Sequence, residues 1–192
     1  MGARVSVRLM GANPGLTLFD ESGERVAFAS VWRVDWSERG SGTALVVWHD
    51  GAVRVVTEDA PLGRWLAADF TRHFPEVAGL PWPDPAVIRA QVDLDYDLSA
   101  GMVARAAGTV VEITTPLDRR LIQAPDFDLG GVAHLLSTVY IPCATGVLTI
   151  DGATVAGAPR LTREPQVSSS AFLADAEVWS RTRPVPDKPT GL

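Results

Sequence analysis

His134 follows Asp126-Phe127-Asp128-Leu129-Gly130-Gly131 and precedes Ser137, Thr138 and Tyr140. Carboxylates ahead of an imidazole and hydroxyls behind it are the residue types of general acid–base chemistry. Asp126 or Asp128 would orient the ring, His134 would take a proton, and Tyr140 would stand near the reacting group. Strand parity limits this within the segment: Ser137 points away from His134, and Tyr140, on the same face, lies about 20 Å along an extended strand. A working pair therefore needs a partner from another strand, and the chain has no Gly-x-Ser-x-Gly elbow. The competing reading is a hydrogen-bonded structural histidine, and it is preferred.

Asp93, Asp95 and Asp97 alternate with Leu94, Tyr96 and Leu98. Alternate side chains on a strand face opposite ways, so this run has one carboxylate face and one apolar face. Neighbouring carboxylates on one strand face are about 7 Å apart, too far to share an ion without help from another strand. A solvated outer face that discourages edge pairing is the simpler reading.

His49 sits beside a hairpin turn, and His73 with Arg72 falls in the last turn of a helix, where a cation complements the dipole. None of the three histidines has metal-ligand spacing to another, so no metal site is expected. Cys143 is the sole cysteine. It excludes an internal disulfide and reads as a buried small apolar residue at a strand end. No phosphate loop, dinucleotide fingerprint or iron–sulfur spacing is present, and no cofactor is expected.

The elements that must carry these residues are mostly strands. Val5, Val7 and Leu9 alternate with polar residues, and Leu16–Phe19 and Arg25–Trp36 flank a polar turn with Gly23. The second of these places Val26, Phe28, Trp32, Val34 and Trp36 on one face. Thr43–His49 and Val53–Thr57 are joined by Asp50-Gly51, a pair suited to a turn with two positive φ angles. Leu62, Trp65, Leu66, Phe70, His73 and Phe74 recur at helical spacing. With Asp59 as cap, Pro61 in the first turn and Pro75 as stop, they predict the one long helix, residues 59–74. Gly63-Arg64-Trp65 resembles the Gly-x-Trp signature of lipocalins over three residues. In that family the motif opens the first barrel strand, whereas here it lies within the helical segment, and no property is carried over from it.

Pro75, Pro81, Pro83 and Pro85 make residues 75–86 an extended connector between two halves. Beyond it, Val87–Leu98 and Met102–Thr114 predict a hairpin about Ser99-Ala100-Gly101. Its register sets Tyr96 against Ala104, Leu94 against Ala106, Val92 against Gly108, and Asp95 against Arg105. Ala133–Ile141, then Gly146–Ile150 and Thr154–Gly157 about Asp151-Gly152, and finally Ala171–Trp179 complete the strands. The last directs Phe172, Ala174, Ala176 and Val178 inward. Residues 183–192, with three prolines, read as a disordered tail.

The expectation is an all-β, mainly antiparallel fold: a barrel or strongly bent sandwich of about ten strands with one main α-helix, forming a single domain over residues 1–182. The 192 residues are 46% hydrophobic and 21% charged with a net charge of −6, ordinary globular values. The scattered arginines do not form the basic face a phosphate backbone needs, so nucleic acid is not an expected partner. No apolar run is long enough to span a membrane and Met1–Gly15 does not read as a signal peptide, so a cytoplasmic protein with no membrane association is expected. Functionally, three readings stand. The first is a lipocalin-like barrel binding a small, largely apolar molecule near Trp32, Trp36, Tyr96 and His134. The second is an enzyme on the same scaffold, with His134 as base assisted by Asp126 or Asp128 and Tyr140. The third is an interaction module that forms a homodimer through exposed tryptophans.

Overall fold

The computed structural model describes residues 4–182, so the expectation for 183–192 lies outside the described residues. The chain is all-β with one α-helix, and thirteen of its strands join in a large, mainly antiparallel, strongly bent sheet. β1 (Arg4–Ala12) and β2 (Gly15–Phe19) are two parts of one long run. Both lie beside β3 (Arg25–Ser37), and the register passes unbroken from Ala12↔Arg33 to Gly15↔Ser30. β4 (Gly42–His49) and β5 (Ala52–Thr57) follow as the Asp-Gly hairpin, with Asp50 at φ 50° and Gly51 at φ 73°.

Helix α1 spans Ala60–Asp69. The Asp59 carboxylate accepts from the Leu62 N–H at 3.0 Å, as the capping pattern predicts. Leu62, Trp65, Leu66 and Ala67 are buried against the sheet. Gly63 permits that approach, because a Cβ there would come within 2.5 Å of the Thr57 methyl. Close packing thus accounts for the Gly-x-Trp pattern. The helix is shorter than the sequence predicts. It ends before Phe70, and Phe70–Val77 continues as two 3-10 turns, Thr71–His73 and Pro75–Val77. Pro75 removes a donor and disfavours helical backbone at Phe74, which is extended at ψ 143°.

The connector crosses over so that β6 (Ala86–Arg89) pairs parallel with β5, tied down where the Trp48 indole donates to the Pro81 carbonyl at 2.9 Å. Val87–Leu98 is therefore two strands, β6 and β7 (Asp93–Asp97). The hairpin of β7 and β8 (Gly101–Ala106) keeps the predicted faces but slides by two residues: Asp93 faces Arg105, Leu94 faces Ala104 and Tyr96 faces Met102. Asp97 causes the slide, since its carboxylate accepts from the Ser99 N–H at 2.7 Å and hydroxyl at 2.6 Å and closes the turn one pair early. The three aspartates are exposed and Leu94 and Tyr96 half-buried. Met102–Thr114 also divides: Ala107 (φ 44°) and Gly108 (φ 79°) turn the chain into β9 (Thr109–Pro116).

β10 (Arg120–Leu129), which the sequence reading did not anticipate, hairpins through Gly130-Gly131 into β11 (Val132–Ile150). β11 is nineteen residues long and replaces the two separate strands predicted there. Its first half pairs with β10 and β15 (Ala171–Thr182), and its second half with β9. Cys143 thus lies mid-strand, at the crossing. Short pairs, β12 (Ala153–Thr154) with β11 and β13 (Leu161–Thr162) with β14 (Ser168–Ser169), complete the path to β15.

Two layers result, a main sheet β6-β5-β4-β3-(β1–β2)-β15-β11-β10 and a smaller one β7-β8-β9-β11, sharing β11. One core fills the space between them, with Leu16, Val31, Leu45, Met102, Ile113 and Leu148 all but fully buried. The other lies between the opposite face of the main sheet and α1, around Phe28, Trp32, Leu62, Leu66 and Phe70. Ala104 and Ala106, which could have left a hollow, are packed into the first core.

Candidate functional site

Of the spaces among the described residues that could hold a ligand, the most apolar is a partly open cleft, not the interior of a barrel. It lies on the helix side of the main sheet, where the two 3-10 turns cross over β1, β3, β15 and β11. Its volume is about 190 Å³, somewhat more than the ~150 Å³ apolar cavity known to admit benzene. The floor is a row of alternate residues on two paired strands, Phe172, Ala174, Ala176 and Val178 on β15 and Leu136, Thr138 and Tyr140 on β11, with Tyr140 opposite Ala174 and Thr138 opposite Ala176. The two alanines leave room between the larger neighbours. Leu9 and Trp32 form one wall and Phe127 another, and Phe70, Phe74, Pro75 and Glu76 form the cover.

Aromatic contacts fix the cover in place. Trp32 meets Phe70 edge-on at 5.7 Å and Phe74 at 5.9 Å, and its indole N–H donates to the Thr71 hydroxyl at 3.2 Å. From β3, Arg25 donates to the carbonyls of Glu76 at 2.8 Å and Ala78 at 2.7 Å.

Four polar side chains reach this apolar space. The Thr138 hydroxyl donates to the Asp175 carbonyl at 2.9 Å, and the Tyr140 hydroxyl to the Ser169 carbonyl at 3.0 Å, so both protons are committed. Asn13 occupies the junction of β1 and β2. Its Nδ2 donates to the Ser30 hydroxyl at 2.8 Å and the Val31 carbonyl at 2.9 Å, which fixes the amide's orientation and leaves Oδ1 as an uncommitted acceptor. Glu76 is half-buried beside exposed Pro75 at the rim. Burial pushes its carboxyl above the ordinary carboxylate range, opposed only by its own backbone N–H.

The residues singled out from the sequence separate in space. Trp32 and Tyr140 line the cavity. His134 shares a strand face with Tyr140 but lies beyond Phe70, in a polar depression with Arg8, Asp69, His73 and Gly130. Its Nε2 lies 3.0 Å from Arg8 Nη1 and its Nδ1 2.9 Å from the Val132 carbonyl. A guanidinium only donates, so Nε2 is the acceptor and Nδ1 carries the proton. Arg8 also pairs with Glu38 at 3.1 Å and Asp69 at 3.3 Å. Phe127, not Asp126, pairs with His134 across the ladder, and Asp126 and Asp128 are exposed on β10. His134, Asp126 and Tyr140 are not brought to one point.

Trp36 is a correction to the predicted inward face. It is 49% exposed at the end of β3, because the register shifts between Met10 and Gly11 where β1 pairs with β3. Tyr96 faces the space between the two sheets, under the Arg33 guanidinium at 5.3 Å. Burial first, then the Asp175 carboxylate, pushes its phenol well above the ordinary value. Its hydroxyl faces the Asp175 carboxylate without a well-formed hydrogen bond, and the groove beside it, lined by Arg33, Asp93, Asp95 and Arg105, is polar. Cys143 is fully buried, and burial pushes its thiol up to about 11. No three His, Cys, Asp or Glu side chains among the described residues are grouped to hold a metal ion. No helix among them is long and apolar enough to cross a membrane.

Asn13 and Glu76 were not found from the sequence. Asn13 lies between two predicted strands and Glu76 within the proline-rich connector 75–86, and neither position carries a motif. The alternation Phe172-Ala174-Ala176-Val178 was legible, and its two small residues were the available sign of a hollow.

No family model, curated protein or solved structure matches this chain.

Proposed function

We propose that the protein binds a small, largely apolar molecule in the cavity between the main sheet and the cover of residues 70–76. The observation that carries this reading is the space itself: about 190 Å³ walled by aromatic and aliphatic side chains from five strands and the cover, with four polar side chains among them. Ala174 and Ala176 keep it open where leucine or valine would close it.

The test uses Trp32, whose ring lines the cavity. Titration with small aromatic and aliphatic compounds is expected to change tryptophan fluorescence, and Trp32→Phe to remove most of that response. Ala176→Leu, which fills the space, is expected to weaken binding about tenfold or more while the melting temperature holds or rises. A panel that leaves the fluorescence unmoved, or binding that survives Ala176→Leu at full strength, would overturn the reading.

A further inference from the structure

Resting on that reading, we infer that the cavity selects a small organic cation, an ammonium group carried on an apolar body about the size of one aromatic ring. Three independent features of the site converge on that chemistry.

The first is the sign of its hydrogen-bonding groups. The protons of Thr138, Tyr140 and the Asn13 amide are all spent on protein oxygens. What remains unspent on the polar lining residues is an amide oxygen, Asn13 Oδ1, and the Glu76 carboxyl. An arriving group therefore has to donate. An ammonium offers up to three donors and no acceptor, the complement of this set.

The second is the absence of a cation for an anionic ligand. Arg25, which reaches the cover from β3, has its Nη1 and Nη2 held by the carbonyls of Glu76 and Ala78, and Arg72 and His73 of the cover itself are exposed and not among the lining residues. Arg8 is held by Glu38, Asp69 and His134 on the far side of Phe70. Arg120 is held by Asp118 and the Val167 carbonyl. A carboxylate or phosphate entering the cavity would meet an acid and an amide oxygen, with no basic side chain among the lining residues.

The third is the aromatic wall. Trp32 stands within 6 Å of both Phe70 and Phe74, and ring faces in such a cluster attract ammonium groups. The cluster already does this on its outer side, where the Arg8 guanidinium lies 5.0 Å from the Phe70 centroid. Trp32 and Phe74 also line the cavity. Desolvation has already raised the Glu76 carboxyl above its ordinary range, and a cation beside it would favour its charged form.

The experiment compares three probes of matched size near pH 7 by calorimetry on the full chain: 2-phenylethylamine, 2-phenylethanol and phenylacetate. The amine is expected to bind about tenfold tighter than the alcohol, and phenylacetate more weakly than either. Glu76→Gln is expected to reduce the amine-to-alcohol ratio to about one, whereas Glu58→Gln, which removes the same charge from an exposed site outside the cavity, keeps it. An alcohol that binds as tightly as the amine, or a ratio that survives Glu76→Gln, overturns the charge selectivity and leaves the cavity reading standing. If none of the three binds, both fall.

Discussion

Burial beside an apolar wall gives Glu76 a pH signature of its own. Its folded-state value is raised above the ordinary 4.5, so the folded protein keeps a proton that the unfolded chain has already released. Such a group contributes fully below the unfolded value, and the contribution is lost as pH rises through the folded one. Arg25, whose guanidinium binds the Glu76 backbone carbonyl, stays cationic across this range and adds no slope. Glu76→Gln is therefore expected to melt higher than the parent near pH 7, with the difference shrinking toward zero below about pH 4. Thermal melts across that range check it; a difference that grows toward acid would mean that the carboxylate is stabilised. Residue types alone pointed to His134, Asp126 and the aromatics, and strand parity placed each on a face. Parity does not say which face of a two-sided sheet carries the space. Trp32 and Tyr140 met at the cavity, while Trp36, Tyr96 and His134 were carried elsewhere by a register shift, by the second sheet and by distance along β11.

Strand β1–β2 shows what an element needs to pass through the middle of a sheet. Pro14 is buried and brings no N–H. The Val31 N–H still donates to its carbonyl at 3.0 Å, so the missing bond is the return one to the Val31 carbonyl. Asn13 Nδ2 supplies it at 2.9 Å. Asn13→Ala orphans that buried carbonyl and is expected to cost about 1–3 kcal/mol in urea unfolding. A change within a few tenths of a kcal/mol would mean that water replaces the amide. Elements with strong local signals were legible: both Asp-Gly hairpins, the capped helix and the acidic alternation. Those decided by partners were not. β11 looks broken at Pro142, yet that residue sits where the strand leaves β15 for β9, a place where a ladder donor can be spared. The two-residue slide of the acidic hairpin likewise turned on Asp97, whose hydrogen bonds to Ser99 hold its carboxyl below the ordinary range.

At the scale of the whole molecule, β11 is common to both sheets, and the main sheet is common to both cores. Neither layer can open without exposing the other's apolar face, so loss of structure is expected to be all-or-none. Cys143 reports on this from the crossing point. With its thiol buried and pushed up to about 11, it is expected to resist alkylation near pH 8, where an exposed thiol is substantially reactive. The urea midpoint for labelling is expected to coincide with those for tryptophan fluorescence and far-ultraviolet circular dichroism. Labelling well before the other two would reveal an opening of the second sheet alone. The architecture as a bent, mainly antiparallel all-β assembly with one helix was legible from alternation. The position of its hollow was not, because it depends on where residues 70–76 fold back across the sheet.

Pro14 has an influence that reaches past backbone geometry. By withholding a hydrogen it conscripts the neighbouring amide, which the Val31 carbonyl and the Ser30 hydroxyl together pin in a single rotational state. Any other residue at 14 would bring its own N–H to that carbonyl and leave the amide tied by Ser30 alone. A ring closed on a main-chain nitrogen thereby settles which of that side chain's two polar atoms is spent on the backbone.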